Sequence, residues 1–387
     1  MKVLHIVPSI SLIYGGPSQM VLGLAPALAK EDVEVTVITT NSNGDTGQKP
    51  LDVPLNEPVK QDSYEIIYFR CAPFRRYKFS LDLLKWLKRH ACEYDIAHIH
   101  ALFSPVSSAA ATICRQQKLP YILRPLGTLD PSDLRKKKLL KQLYAAIIER
   151  QNLAGAAAIH FTSDQEAKIS ARFGVATQDL VIPLGVVPPK LATHQQKLEI
   201  PQDVPVILFM SRIDPKKGLN LLIPALEKLL AVGCNFHFVL AGTNPQDPDY
   251  EQSIISQIQN SPLRSHTTIT GFVTGELKAS LLQAADVFVL PSYYENFGIA
   301  VAEAMVAGIP VVISDQVHIC HQVSESQSGW VGELDIQVIV NLLQTALQNP
   351  AERQRRGLNA QQYALQHYSW NAIARQMISA YQQILRP

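Results

Sequence analysis

Two short segments hold the residues best suited to binding an anion. The first, LPSYYENFGIAVAEAMVAGIPVVI at Leu290–Ile313, reads as a strand ending at Leu290, a polar loop Pro291–Gly298 and a helix from Ile299. The amides of Phe297, Gly298 and Ile299 would open that helix without intrahelical acceptors, at its partially positive end. Gly298 lets backbone approach a ligand, and the combination favours a phosphate or another anion. Glu295 lies in the loop and Glu303 in the helix, seven residues between them. Taken alone, these acids are read equally well as solvated carboxylates that complement the helix dipole.

The second segment is FMSRIDPKKGL, Phe209–Leu219, where Arg212, Lys216 and Lys217 follow an apolar strand. Arginine offers a rigid fork to phosphate oxygens and lysine a point charge. Such cations must meet a ligand or acids; a surface turn with Asp214 as partner is the plainer alternative.

Both segments need strand ends to carry them. Strand-like runs at Val3–Val7, Val33–Thr39, Glu65–Phe69, Ile96–Ile99, Tyr121–Arg124, Ala157–Thr162 and Leu180–Pro183 alternate with helical patterns at Ser18–Lys30, Ser80–His90 and Lys136–Asn152. The proline-rich stretch Val186–Pro205 reads as a linker. Beyond it the alternation resumes, with strands Val206–Met210, Phe236–Ala241, Thr267–Thr270, Val287–Leu290 and Pro310–Ile313 between helices. This predicts an α/β protein with two doubly wound parallel sheets, residues 1–187 and 188–369. The strands are apolar throughout, as expected with both sheet faces covered. Ligands of such sheets bind beyond the carboxyl ends of the strands, so the crevice between domains is the expected site.

Composition narrows the classes. The 387 residues are 47% hydrophobic and 18% charged, which excludes a mainly disordered chain. A net charge of +2 gives no general case for nucleic acid. Residues 1–190 nevertheless carry net +6, from 23 basic and 17 acidic residues. Five isolated cysteines in no ligand spacing, and an opening MKVLHIVPSI without the apolar core of a signal peptide, suggest a cytoplasmic protein. The uncharged run Ala97–Cys114 is rich in serine and makes a poor membrane span.

Ten segments in order resemble glycosyltransferase family 4, the retaining nucleotide-sugar enzymes of GT-B fold. They are Gly15-Gly16, DIAHIH (Asp95–His100), RPLGTL (Arg124–Leu129), FTSDQE (Phe161–Glu166), IPLGV (Ile182–Val186), SRIDPKKG (Ser211–Gly218), Ala241-Gly242, GFV (Gly271–Val273), ADVFVLPS (Ala285–Ser292) and the Glu295-to-Glu303 segment. The resemblance implies that Arg212 and Lys217 hold the donor diphosphate and that Glu303 meets the ribose. It implies that Glu295 meets the hexose, with Asn296 beside it and the Phe297, Gly298 and Ile299 amides on phosphate and sugar. Gly271, Phe272 and Val273 would lie along the base with Lys278 nearby, and His100 would reach the hexose. Gly15 and Gly16 would approach the phosphates, and helix 370–387 would return to the first domain. One departure is Leu184, where the family often has Asn. His98 and His100 alternate along a strand and are expected on opposite faces, so that one alone reaches the crevice.

The implied chemistry is transfer of a hexose, UDP-glucose being the first donor to expect and GDP-mannose the second, to a saccharide or lipid-linked acceptor. No D-x-D metal signature stands at a strand end, so no metal and no cofactor beyond the donor is expected. Two basic clusters are candidates for an anionic membrane surface, which would place the protein peripherally on the inner face of the plasma membrane. They are Arg75, Arg76, Lys78, Lys85, Lys88 and Arg89, and Arg135–Lys138 with Lys141. A nucleotide-sugar epimerase and a non-catalytic two-lobe binding protein are the alternatives.

Overall fold

The computed structural model describes residues 1–45, 48–72, 77–129, 144, 148–189, 200–201 and 203–386. The chain forms two compact units, Met1–Gly185 with Trp370–Pro387, and Val186–Ser369. Arg75, Arg76, Arg135–Lys138, Lys141, most of the expected helix Lys136–Asn152 and half of the expected linker lie outside the described residues.

Eight strands build the sheet of the first unit: β1 (Lys2–Val7), β2 (Glu34–Thr40), β3 (Pro58–Lys60), β4 (Glu65–Phe69), β5 (Ile96–His100), β6 (Tyr121–Arg124), β7 (Ala158–Phe161) and β8 (Asp179–Val181). Their order is β3-β4-β2-β1-β5-β6-β7-β8. Among the described residues only the short edge strand β3, unmarked in the sequence pattern, runs antiparallel to its neighbour. The second unit has β9 (Val206–Met210), β10 (His237–Ala241), β11 (Thr267–Gly271), β12 (Val287–Leu290), β13 (Val311–Ser314) and β14 (Gly329–Gly332). They lie in the order β11-β10-β9-β12-β13-β14, each pair parallel. Chain order reverses between β9 and β12, and in the first unit between β1 and β5. These switch points are where open α/β sheets bind ligands.

The two faces of the first sheet differ in chemistry. Leu4, Ile6, Ala97, Ile99, Tyr121, Leu123, Ile159 and Phe161 form one core with helices Leu81–His90 and Pro105–Gln116. That second helix is the serine-rich run of the sequence; Pro105 opens it, and Val106, Ala110, Ala111 and Cys114 are buried. The alternate positions carry His5, His98, His100, Arg124 and His160, all buried. The expectation that His98 and His100 face opposite ways is therefore wrong: their rings stack with centroids 4.6 Å apart. Side chains alternate at every residue, so positions two apart share a face.

Helix Trp370–Leu385 packs on helix Gly16–Ala29 within the first unit. Trp370 makes the contact possible only because glycines face it: a Cβ at Gly23 or Gly185 would lie 2.2 Å from its ring. Leu184, at the departure from the family pattern, is buried. Among the described residues no helix is long and apolar enough to cross a membrane.

In the second unit Gly242 follows β10 at φ 147°, and a Cβ there would stand 1.9 Å from the Ser211 carbonyl oxygen. Gly242→Ala is therefore expected to destabilise this unit by about 1–3 kcal/mol, the usual cost of a strained backbone position. A urea titration that left the midpoint unchanged would contradict the reading.

Candidate functional site

In the second unit the Ser211–Gly218 loop leaves β9 and the Pro291–Gly298 loop leaves β12, on either side of the switch point. Asp214 shapes the first: its carboxylate accepts the Lys216 amide at 3.0 Å and caps a 3-10 turn, Pro215–Lys217. Gly218 ends that turn at φ 74°, and a Cβ there would lie 1.9 Å from the Pro291 carbonyl oxygen. Only glycine lets the two loops meet so closely. The Tyr293 amide then donates to the Lys216 carbonyl at 2.8 Å, and Asn220 Nδ2 to the Tyr293 hydroxyl at 2.9 Å.

The expected charged residues meet in pairs. Lys217 Nζ is ion-paired with Glu295, and Lys278 Nζ lies 2.5 Å from Glu303 Oε1. All four side chains are largely buried, where a charge pair is far stronger than on a surface. Arg212 stands apart, half exposed; its Nη1 donates to Gln246 Oε1 at 3.1 Å, and its Nε lies 3.8 Å from the Asp214 carboxylate. The loop after β10 thus braces Arg212, although its sequence carried no assignment.

Gly298, at φ 77°, precedes helix Ile299–Val306 with no side-chain cap. The Phe297 ring is buried edge-on against Tyr368, centroids 5.2 Å apart, leaving its main chain at the helix start. Glu295 is held through backbone: its amide donates to Gln316 O at 3.2 Å, and its carbonyl accepts from His318 N at 3.0 Å. Asn296 Oδ1 accepts from the Tyr294 hydroxyl at 2.7 Å. The sequence reading missed this third loop, Asp315–Ile319 after β13; its signal was the polar SDQ following an apolar strand. Gly271 ends the edge strand β11 at φ 70°, and of the residues after it Phe272 is exposed and Val273 is buried.

In the first unit Gly15 has φ 68° with open space around its missing Cβ, so conformation alone favours glycine there. Together with Gly16 it opens helix Gly16–Ala29, but not directly from β1: the turn Leu12–Tyr14, capped by Ser11, intervenes. His100 ends β5, and Ala101 and Phe103 after it adopt φ 68° and 58°. Each left-handed non-glycine residue costs about 1–3 kcal/mol, and such strain clusters at functional sites. A buried carboxylate pins the loop: Glu149 accepts the Phe103 amide at 3.1 Å and the Ser108 hydroxyl. Burial raises its pKa.

His100 does not stand alone. Its Nε2 lies 3.1 Å from His5 Nδ1, while His98 bonds to Tyr381 and His160. Burial, with added repulsion from Arg124, lowers the pKa of His5 and of His160 to about 3. His98 and His100 are also lowered, by burial first and then by neighbouring histidines and Arg124. His5, His98 and His100 each offer a ring nitrogen within 4.8 Å of the others, a spacing a metal could use. The Arg124 cation beside them opposes a second positive charge. The layer is therefore read as neutral imidazoles; its sequence signal was the i, i+2 histidine pair with His5 on the adjacent strand.

Two doubly wound α/β units, with paired cations and carboxylates at the switch point of one, define a GT-B glycosyltransferase scaffold. Residues 192–363 match the family model "Glycosyl transferases group 1" and residues 15–185 "Glycosyl transferase 4-like domain". The chain belongs to glycosyltransferase family 4. It is 31% identical to an alpha-D-kanosaminyltransferase of Streptomyces kanamyceticus over 47% of this chain and 46% of that protein. It thus spans about half the length of that relative. Against the phosphatidyl-myo-inositol mannosyltransferase of Mycolicibacterium smegmatis, identity is 25% over 96% of this chain and 90% of that protein. Sucrose-phosphate synthase from Thermosynechococcus elongatus shares the fold with TM-score 0.77 and 22% identity, covering 99% of each chain. Anabaena HepE in complex with UDP does so with TM-score 0.74 and 19% identity, covering 99% of this chain and 100% of that one.

The histidine layer makes a pH prediction. A free imidazole titrates near pH 6.5; the folded values are lower, so the unfolded chain binds more protons below that pH. Stability of the first unit should be flat above about pH 6.5 and fall by about 1.4 kcal/mol per pH unit for each such histidine below it. For His5 and His160 the loss ends near pH 3, where they protonate in the folded protein. Urea midpoints between about pH 7.5 and 5 check this, and His5→Gln should make the slope shallower.

Proposed function

We propose that the protein is a retaining glycosyltransferase that moves a hexose from a nucleoside diphosphate sugar to a saccharide or lipid-linked acceptor. The observation carrying this reading is the Lys217–Glu295 pair beside the uncapped helix start at Gly298. Breaking the anomeric C–O bond leaves an oxocarbenium-like carbon and puts negative charge on the departing diphosphate. Lys217, Arg212 and the amides of residues 297–299 stabilise that charge where it develops. A diphosphate competing for Lys217 releases Glu295 to accept sugar hydroxyls, and Glu303, held by Lys278, accepts from the ribose. Gly271–Val273 lie along the base, Gly15 and Gly16 approach the phosphates, and His100 meets the hexose.

Retention follows from attack on the face the diphosphate leaves, the acceptor's hydroxyl proton passing to a leaving phosphate oxygen. In this reading two fixed cations do the electrostatic work, and neither metal nor cofactor is required. UDP-glucose is the first donor; the HepE neighbour is recorded with UDP-glucose. GDP-mannose is the second, in keeping with the mannosyl group in the name of the M. smegmatis relative. Exposed Lys85, Lys88 and Arg89 on helix Leu81–His90 would rest on anionic lipid at the inner membrane face.

Thermal denaturation with UDP-, GDP- and ADP-sugars tests the donor, since a ligand that binds only the folded chain raises its melting temperature. With UDP-glucose, slow release of α-glucose supports retaining transfer. Recovery of epimerised donor would instead support an epimerase, and binding without turnover a receptor. Lys217→Ala is expected to lower kcat by about 10²–10³-fold, as when one oxyanion donor is removed. Unchanged turnover would remove the diphosphate role from this lysine.

A further inference from the structure

The buried polar face of the first sheet contains a hydrogen-bond chain whose direction is set by its final acceptor. The Ile182 carbonyl only accepts, so His160 Nε2, 2.9 Å away, carries a hydrogen. His160 is neutral, so its Nδ1 is bare and accepts from His98 Nε2 at 3.2 Å. His98 is neutral too, so its Nδ1 is bare and accepts from the Tyr381 hydroxyl at 2.8 Å. Protons thus point one way, from Tyr381 through His98 and His160 to a main-chain oxygen. All three side chains are buried.

His98 is held at both ring nitrogens and cannot turn without breaking both bonds. Its ring forms the wall against which His100 stacks, at 18° between planes, and it stacks on His5 at 5.3 Å. His100 has only the His5 bond, and its Nδ1 has no partner. A ring with one bond takes much of its orientation from its packing, and His98 at 4.6 Å lies nearer to it than the bonded His5 ring at 5.4 Å. Arg124 and Glu166 supply the other charges near the layer, and neither bonds to the chain from Tyr381 to Ile182.

We propose that Tyr381 is a positioning residue which, through His98, fixes the ring of His100. Helix Trp370–Leu385 then governs the one histidine expected at the transferred hexose, and the activity arm of the test rests on the proposed sugar transfer. Tyr381→Phe in the full chain removes the hydroxyl alone. Nitrogen-15 NMR of labelled histidines should find His98 and His160 in the wild type as Nε2–H tautomers. In Tyr381→Phe the His98 Nδ1 signal should move to the position of an unbonded nitrogen, and the His100 signals should shift with it. Turnover of the donor should fall about tenfold with its KM unchanged, since a displaced reactive group lowers rate rather than donor binding. His160→Gln, which can still donate to Ile182 and accept from His98, should keep His98 in place and hold kcat near wild type; His160→Leu should not. A hydrogen on His98 Nδ1, or His100 signals unmoved by Tyr381→Phe, overturns the proposal. Should His100 shift while the wild type turns over no sugar nucleotide, positioning stands and the transferase reading fails.

Discussion

The second unit is organised by a missing side chain. With hydrogen alone on the Gly218 Cα, the turn after β9 closes onto the Pro291 carbonyl, and this contact sets the distance at which Lys217 meets Glu295. Tyr293 and Asn220 tie the same loops by further hydrogen bonds, so the backbone positions from which Lys217 and Glu295 reach each other are fixed. Charges on braced backbone need little reorganisation when charge develops beside them, which is why a cation on a tied turn is worth more to catalysis than one on a mobile loop.

The first unit uses the opposite material. One face of its sheet buries hydrocarbon, while the other buries four imidazoles and a guanidinium. Hydrogen-bonded histidines tolerate burial because each can be neutral, donor at one nitrogen and acceptor at the other. Arg124 cannot shed its charge at ordinary pH even with its pKa lowered to about 10, and it keeps its neighbours uncharged. Strain at Ala101 and Phe103 and the buried Glu149 fix where β5 ends, and so where His100 sits.

Much of the fold was legible because the strands are continuous apolar runs and the turns carry Gly and Pro. Strands such as Val206–Met210 and Val287–Leu290 coincide with the sequence reading, since short runs of four or five apolar residues rich in Val, Ile and Phe suit a strand covered on both faces. Edge strand β3 was not legible: three residues with one apolar side chain leave no period to detect. The serine-rich helix Pro105–Gln116 was hidden because its buried face is built from Ala and Ser, whose apolar signal is weak. In the candidate site, the pairing of Lys217 with Glu295 and of Lys278 with Glu303 joins positions 78 and 25 residues apart, which spacing alone does not show. The histidine layer was misread through an error of parity, two residues being a full strand period. Its buried partner Tyr381 lies 283 residues from His98, beyond any local pattern.

The same tyrosine constrains the order in which the units can be completed during synthesis. Residues 186–369 are contiguous and can close upon themselves as they leave the ribosome. The unit begun earlier cannot: its imidazole layer waits for helix Trp370–Leu385, made after the whole of the other unit. Until then His98 lacks the Tyr381 hydroxyl that its Nδ1 accepts in the finished unit. The amino-terminal half, first to be translated, is therefore the later to mature.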